Sequence, residues 1–166
     1  MQVPADTELG ASLDRLVARE LGAGHGAGAW RGLLQAHATL LRQLETDLER
    51  QTGLALADFD VLAQLAVAGG ELRMTQLAAR ALISRSGMTR RVARLVGEGL
   101  VRRASADGDA RGVVVGLTEV GVARLTEAAP VHARGVRELF VARLDDQELA
   151  LLESALRKVT LDCSFG

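Results

Sequence analysis

One stretch of this chain reads as two hydrophobic strands joined by a charged loop, a β-hairpin. It reads "GLVRRASADGDARGVVVGLT", Gly99 to Thr118, two apolar arms around a small charged tip. Elsewhere the apolar residues recur at three- and four-residue steps, the spacing of helices buried on one side. Trp30, Leu33, Leu34, His37, Leu40, Leu41, Leu44 and Leu48 hold that step through the longest run. The pattern restricts the chain to a mainly α fold with one small β-hairpin. Composition agrees. There are one Trp, three Phe and no Tyr, so the core must be built from Leu, Val and Ala. Of these, Ala and Leu are strong helix formers. A length of 166 residues suits one domain, or one domain with an added dimerisation part.

The punctuation gives the order of elements. A short helix is expected from Asp6 to Leu21, followed by the flexible linker "GAGHGAGA", Gly22 to Ala29. The long helix from Trp30 ends near Gly53. Another starts near Ala57, with Phe59, Leu62, Leu65 and Ala66 inward, and stops at Gly69-Gly70. Thr75 is placed as the N-cap of a short helix, and Ile83-Ser84 forms a tight connection. A helix follows over 86–98, with Gly99 at the C′ position. After the hairpin, a helix runs from Glu119 to about Leu144, and Pro130 should kink or split it. Asp145 and Glu148 form a capping box for the last helix. The central pieces read as a helix-turn-helix followed by a wing over 100–117.

Charge is distributed unevenly. The whole chain has a formal charge of −1, which alone argues against a nucleic-acid partner. Between Leu72 and Gly112, however, nine arginines face three acids, a net +6, while the remainder carries −7. That asymmetry is a local electrostatic footprint. On a helical wheel, Met88, Val92, Leu95 and Val96 gather on one side of helix 86–98. Ser86, Arg90, Ala93 and Arg94 lie opposite, with Thr89 beside them. Small residues among arginines let a helix approach a surface closely while guanidinium groups reach bases or phosphates. A surface helix with solvated arginines has the same pattern; the short helix before it and the hairpin after it favour DNA. Arg91 falls at the edge of the buried face, where an ion pair with Asp60 or Glu98, or a pocket lining, is open to it.

"MTQLAARALISRSGMTRRVARLVGEGL", Met74 to Leu100, followed by "DARGVVVGLTEVG", resembles the multiple-antibiotic-resistance regulator (MarR) family. The family's wing pattern stands here as Asp109, Arg111, Val115, Leu117, Thr118 and Gly121, and the resemblance extends from about Trp30 to Leu161. It implies a homodimeric, sequence-specific transcriptional regulator, a winged helix-turn-helix lobe joined to a helical dimerisation region. Residues 1–28 would be an N-terminal extension, 29–55 and 119–162 the dimerisation region, and 56–118 the DNA-binding lobe. It further implies a ligand-responsive repressor on double-stranded DNA with a near-palindromic operator. Thr75, Arg85, Ser86, Thr89, Arg90, Arg94, Asp109 and Arg111 are the expected DNA-binding residues, with Arg111 in the minor groove and Asp109 bracing it. The family often carries a second arginine between those two; here Ala110 stands there.

The effector implied is a small aromatic or anionic molecule. Trp30, His37, Asp60, Arg91 and His132 are its candidate ligands, and a satisfied seam between subunits is the alternative for Trp30, His37 and His132. No cofactor is implied. Three histidines and one cysteine, Cys163 near the end, show no metal-ligand spacing and allow no disulfide within the chain. No catalytic constellation or phosphate-binding glycine loop is recognisable, so the chain is not expected to be an enzyme. There is no apolar run of membrane-spanning length and no signal peptide, and the expected location is the cytoplasm. The competing function is a winged-helix module for protein–protein contact without DNA.

Overall fold

The computed structural model describes residues 6–21, 24–106 and 109–161, leaving aside the side chains of 6–9, 13, 14, 106, 109–111 and 161. Helices α1 (Asp6–Glu20), α2 (Gly26–Thr52) and α3 (Leu56–Val67) come first. Strand β1 (Glu71–Arg73) leads into α4 (Met74–Arg80) and α5 (Arg85–Gly97). The hairpin β2 (Val101–Ala106) and β3 (Asp109–Leu117) precedes α6 (Glu119–Leu139), a 3-10 turn (Val141–Arg143) and α7 (Asp146–Leu161). The chain divides into two compact units, Met1–Arg42 and Gln43–Gly166, with the boundary inside α2.

In the first unit, α2 begins four residues earlier than the sequence placed it. Gly26 to Ala29 are helical, and the Ala29 amide donates to the His25 carbonyl at 2.8 Å. Alternating alanines and cooperative extension from the leucine-rich helix outweigh the glycine penalty. Trp30, Leu33, Leu34 and Leu41 keep 41–53 % of their surface exposed, so this stripe remains apolar and open.

In the second unit, α3 sits at the centre. Val61, Leu62 and Leu65 are fully buried against Leu77 of α4, Met88, Val92 and Leu95 of α5, and Val115 of β3. Ala66, expected inward, is exposed, because it lies off the 58–61–62–65 face. Ala55, at the N-cap of α3, has no side-chain cap. Glu45 of α2 fills that role, its carboxylate accepting from the Leu56 amide at 3.0 Å. The sheet has order β1-β3-β2 and is antiparallel throughout, with Leu72 opposite Val115 and Arg103 on its other side. β1 is an element the sequence did not announce: three residues cannot establish an alternation.

Two further expectations change. Arg73, not Thr75, is the N-cap of α4, and its amide donates to Gln76 Oε1 at 3.2 Å. Pro130 does not split its helix; α6 continues to Leu139 before the chain tightens into the 3-10 turn. The proline has no amide to donate to the Thr126 carbonyl, and the helix runs on past it through nine more residues. The capping box stands as expected: the Glu148 amide donates to Asp145 Oδ1 at 2.8 Å, and the Asp145 amide to Glu148 Oε2 at 3.0 Å.

Candidate nucleic-acid interface

Helix α5 is seated by its apolar side. Met88, Val92 and Leu95 have no exposed surface, which fixes the rotation of the helix about its axis. Val96, assigned to that face by the wheel, is 38 % exposed at its edge. Ser84 caps the start, its hydroxyl accepting from the Gly87 amide at 3.2 Å. Gly99 ends it with φ 73°, a left-handed turn that costs glycine little. With the seat fixed, Arg85, Ser86, Thr89, Arg90, Ala93 and Arg94 are all exposed, as the periodicity required. The Thr89 hydroxyl donates back to the Arg85 carbonyl at 2.9 Å. Arg85 and Arg90 form no ion pair among the described residues. Thr75, on the first turn of α4, is also exposed.

Arg91 and Arg94 are engaged differently. Arg91 pairs with neither Asp60 nor Glu98. Its Nη1 lies 3.0 Å from Oδ1 of Asp58, a residue the sequence reading overlooked. Arg94 donates through Nη2 to both oxygens of the same carboxylate, and Glu98 stands further off at 3.9 Å. Asp58 is only 2 % exposed. A buried carboxylate needs such partners, and its place in the first turn of α3 adds the favourable end of the helix dipole. One carboxylate does not satisfy both guanidinium groups, and Arg91 Nε remains buried without a hydrogen bond among the described residues. The signal for Asp58 was present in "LADFDVLAQL". Asp58 shares the inward face with Val61, Leu62 and Leu65, and an acid there demands a cation from a neighbouring element.

The base of the wing is well defined. Arg102 and Glu71 flank Gly116 on the outer strands, and the guanidinium passes over that glycine to reach Glu71 at 3.2 Å. A Cβ at Gly116 would lie 2.0 Å from Arg102 Nη1, so only glycine leaves the path open. Thr118 ties the hairpin to α6. Its hydroxyl donates to the Gly99 carbonyl at 2.7 Å and accepts from the Gly121 amide at 3.0 Å. The backbone of Asp109 and Arg111 lies in β3, with an irregularity in the pairing between Ser105 and Ala106. The side chains of Asp109 and Arg111 lie outside the described residues, as does Cys163.

The expected effector residues fall in different units. Trp30 and His37 are exposed on the first unit's part of α2. In the second unit, His132 of α6 faces the Phe59 ring, centroids 4.6 Å apart, and its Nδ1 is buried without a hydrogen-bond partner among the described residues. Burial pushes the His132 pKa below its ordinary value, and the nearby Asp60 charge opposes that shift. Arg91 is drawn away to Asp58. Among the described residues no cluster of His, Cys, Asp or Glu suits a metal ion, and no helix is long and apolar enough to cross a membrane.

Comparison with known proteins places this geometry. The MarR family model matches residues 52–112, the span that holds α3, α4, α5 and most of the hairpin. The structure of AbsC, a MarR family transcriptional regulator from Streptomyces coelicolor, is similar, with a TM-score of 0.78 at 32 % identity. The match covers 84 % of this chain and 94 % of that one. Sco3205, a MarR family regulator from the same organism solved in complex with DNA, gives a TM-score of 0.77 at 34 % identity, covering 82 % and 86 %. A mutant MarR from E. coli complexed with operator DNA gives 0.70 at 28 % identity, covering 78 % and 91 %. No curated protein sequence matches the chain.

Proposed function

Because the chain belongs to the MarR family of DNA-binding transcriptional regulators, which are not enzymes, we propose that it acts as a homodimeric, ligand-responsive repressor on a near-palindromic operator. The observation that carries the reading is the outer face of α5. Arg85 and Arg90 stand there exposed and free of acidic partners among the described residues, on a helix whose rotation is fixed by a fully buried seat. A module built only for protein contact does not require two cations without acidic partners among the described residues, set beside small residues on one helix face. The DNA-bound state of Sco3205 supports carrying the same role to this chain.

In this reading α5 enters the major groove. Arg90 reads a base edge, and Arg85, Ser86, Thr89 and Thr75 approach the backbone; Arg94, expected with them, is held by Asp58 and is left out of this set. Arg111 extends from the wing into the minor groove, whose negative potential attracts guanidinium groups, with Asp109 as its brace. Residues 56–118 form the DNA-binding lobe, and 29–55 with 119–162 the dimerisation region. The exposed apolar stripes support the dimer: Trp30, Leu33, Leu34 and Leu41 on α2, and Leu151, Leu156 and Val159 on α7. Half-sites would lie about one helical turn apart on the DNA. The effector is a small aromatic or anionic molecule, and the unpartnered His132 beside Phe59 and Asp60 supports an aromatic acid or phenol. The protein would act in the cytoplasm.

The test is binding to a fragment from upstream of the protein's own gene over a series of salt concentrations. Affinity should fall steeply as salt rises, because each neutralised phosphate releases counterions. Weak binding that ignores salt would favour the protein-contact module. Aromatic acids are then screened for release of the bound fragment.

A further inference from the structure

We propose that Asp58 sets the specificity of the DNA-binding surface, by occupying Arg94 in place of a phosphate, with Arg91 as the carboxylate's second partner, and leaving Arg85 and Arg90 as the cations α5 offers to DNA. The inference rests on the DNA-binding reading above and adds a residue and a mechanism to it.

Arg90 and Arg94 are one turn apart on the same exposed face of α5, so periodicity makes them equivalent. Asp58 makes them different. Arg94 Nη2 meets both carboxylate oxygens, and Arg91 Nη1 meets one of them at 3.0 Å. Arg90 has no acid within reach among the described residues. A carboxylate offers a guanidinium the same paired oxygens as a phosphate does. Here it is delivered from the first turn of α3, nearly buried, and it needs no ordering when DNA arrives. For Arg94 to turn to a phosphate, it must leave behind a buried carboxylate held by Arg91 alone, a group that is costly to leave short of partners. Glu98, at 3.9 Å, adds a second but looser hold on Arg94.

The consequence concerns discrimination. Phosphate contacts raise affinity for every sequence, whereas base contacts raise it for one. Withholding Arg94 from the backbone lowers the sequence-independent part of binding and leaves the base-reading part at Arg90 intact. Asp58 thus works as an internal competitor for phosphate.

The experiment uses the full chain and a random-sequence duplex, with binding followed by fluorescence anisotropy over a salt series. Asp58→Asn keeps the shape but weakens the hold on Arg94. We expect tighter binding to the random duplex and a plot of log affinity against log salt that is steeper by about 0.9, one extra phosphate contact. Arg94→Ala alone should leave the wild-type slope unchanged. Arg94→Ala added to Asp58→Asn should restore it. A folded Asp58→Asn protein with the wild-type slope would make Asp58 a structural brace only and overturn the proposal. So would a shallower slope for Arg94→Ala alone, and that single variant decides the matter if Asp58→Asn does not fold. Absence of salt-dependent binding by the wild-type chain would instead contradict the DNA-binding reading itself.

Discussion

Arg90 and Arg94 illustrate how single residues acquire their roles. The wheel placed both outward, and both are outward; what separates them is a carboxylate 36 positions earlier in the sequence for Arg94. Periodicity reports the face of a helix but not which partner another element brings to it. Two glycines make a second residue-scale contrast. A Cβ at Gly116 would meet a guanidinium, the far end of a flexible side chain, while one at Gly121 would lie 2.0 Å from the Leu100 carbonyl oxygen. Gly116→Ala should therefore cost only about the worth of the exposed Arg102–Glu71 pair, roughly 0–1 kcal/mol. Gly121→Ala forces backbone apart and should cost about 1–3 kcal/mol or more. Denaturant midpoints of the two variants check this, and equal losses would mean that the start of α6 yields easily.

His132 gives a pH dependence with a definite sign. Burial lowers its pKa in the folded chain, partly countered by Asp60, so the unfolded chain binds the proton more readily. The stability of the neutral form is complete above the unfolded value of about 6.5 and is lost as pH falls through the lower folded value. Lowering pH from about 7.5 to about 5.5, a window on either side of the unfolded value, should reduce stability, and His132→Gln should flatten that response. Identical pH profiles for the two proteins would remove His132 as the cause.

At the scale of elements, what could be read in advance followed the length of each pattern. Helix α7 and its Asp145–Glu148 box, the stop at Gly99 and the hairpin all rest on several residues that agree, and all stand where the sequence put them. β1 rests on one inward residue, Leu72, and its existence depends on pairing with β3, more than 40 residues away. The early start of α2 shows the reverse error, in which glycines were given more weight than the helix they adjoin. The N-cap of α5 gives a prediction at this scale. Ser84→Ala removes the acceptor of the Gly87 amide and should cost about 1 kcal/mol of stability. DNA affinity should fall with it, because the first turn carries Arg85 and Ser86. Unchanged affinity after a loss of stability would place the contacts further along the helix.

At the scale of the whole molecule, a chain with near-zero net charge binds DNA only if its charges are segregated, and here the basic quarter coincides with α4, α5 and the wing. The apolar stripes of α2 and α7 are exposed in the single chain, and the proposed dimer would cover them. Leu34→Glu combined with Leu151→Glu should leave a monomer in sedimentation equilibrium and sharply weaken operator binding, since one lobe then reads one half-site. A dimer that persists with both charges in place would move the interface elsewhere.

The most direct test compares the wild-type chain with Arg90→Ala on the upstream fragment, across salt concentrations. The wild type should bind tightly at low salt and lose affinity linearly on a logarithmic scale. Arg90→Ala should stay folded and bind weaker by roughly 5- to 150-fold, about 1–3 kcal/mol, with relaxed preference at one base pair of each half-site. Wild-type affinity and preference in Arg90→Ala would contradict the assignment of α5 as the helix that reads DNA.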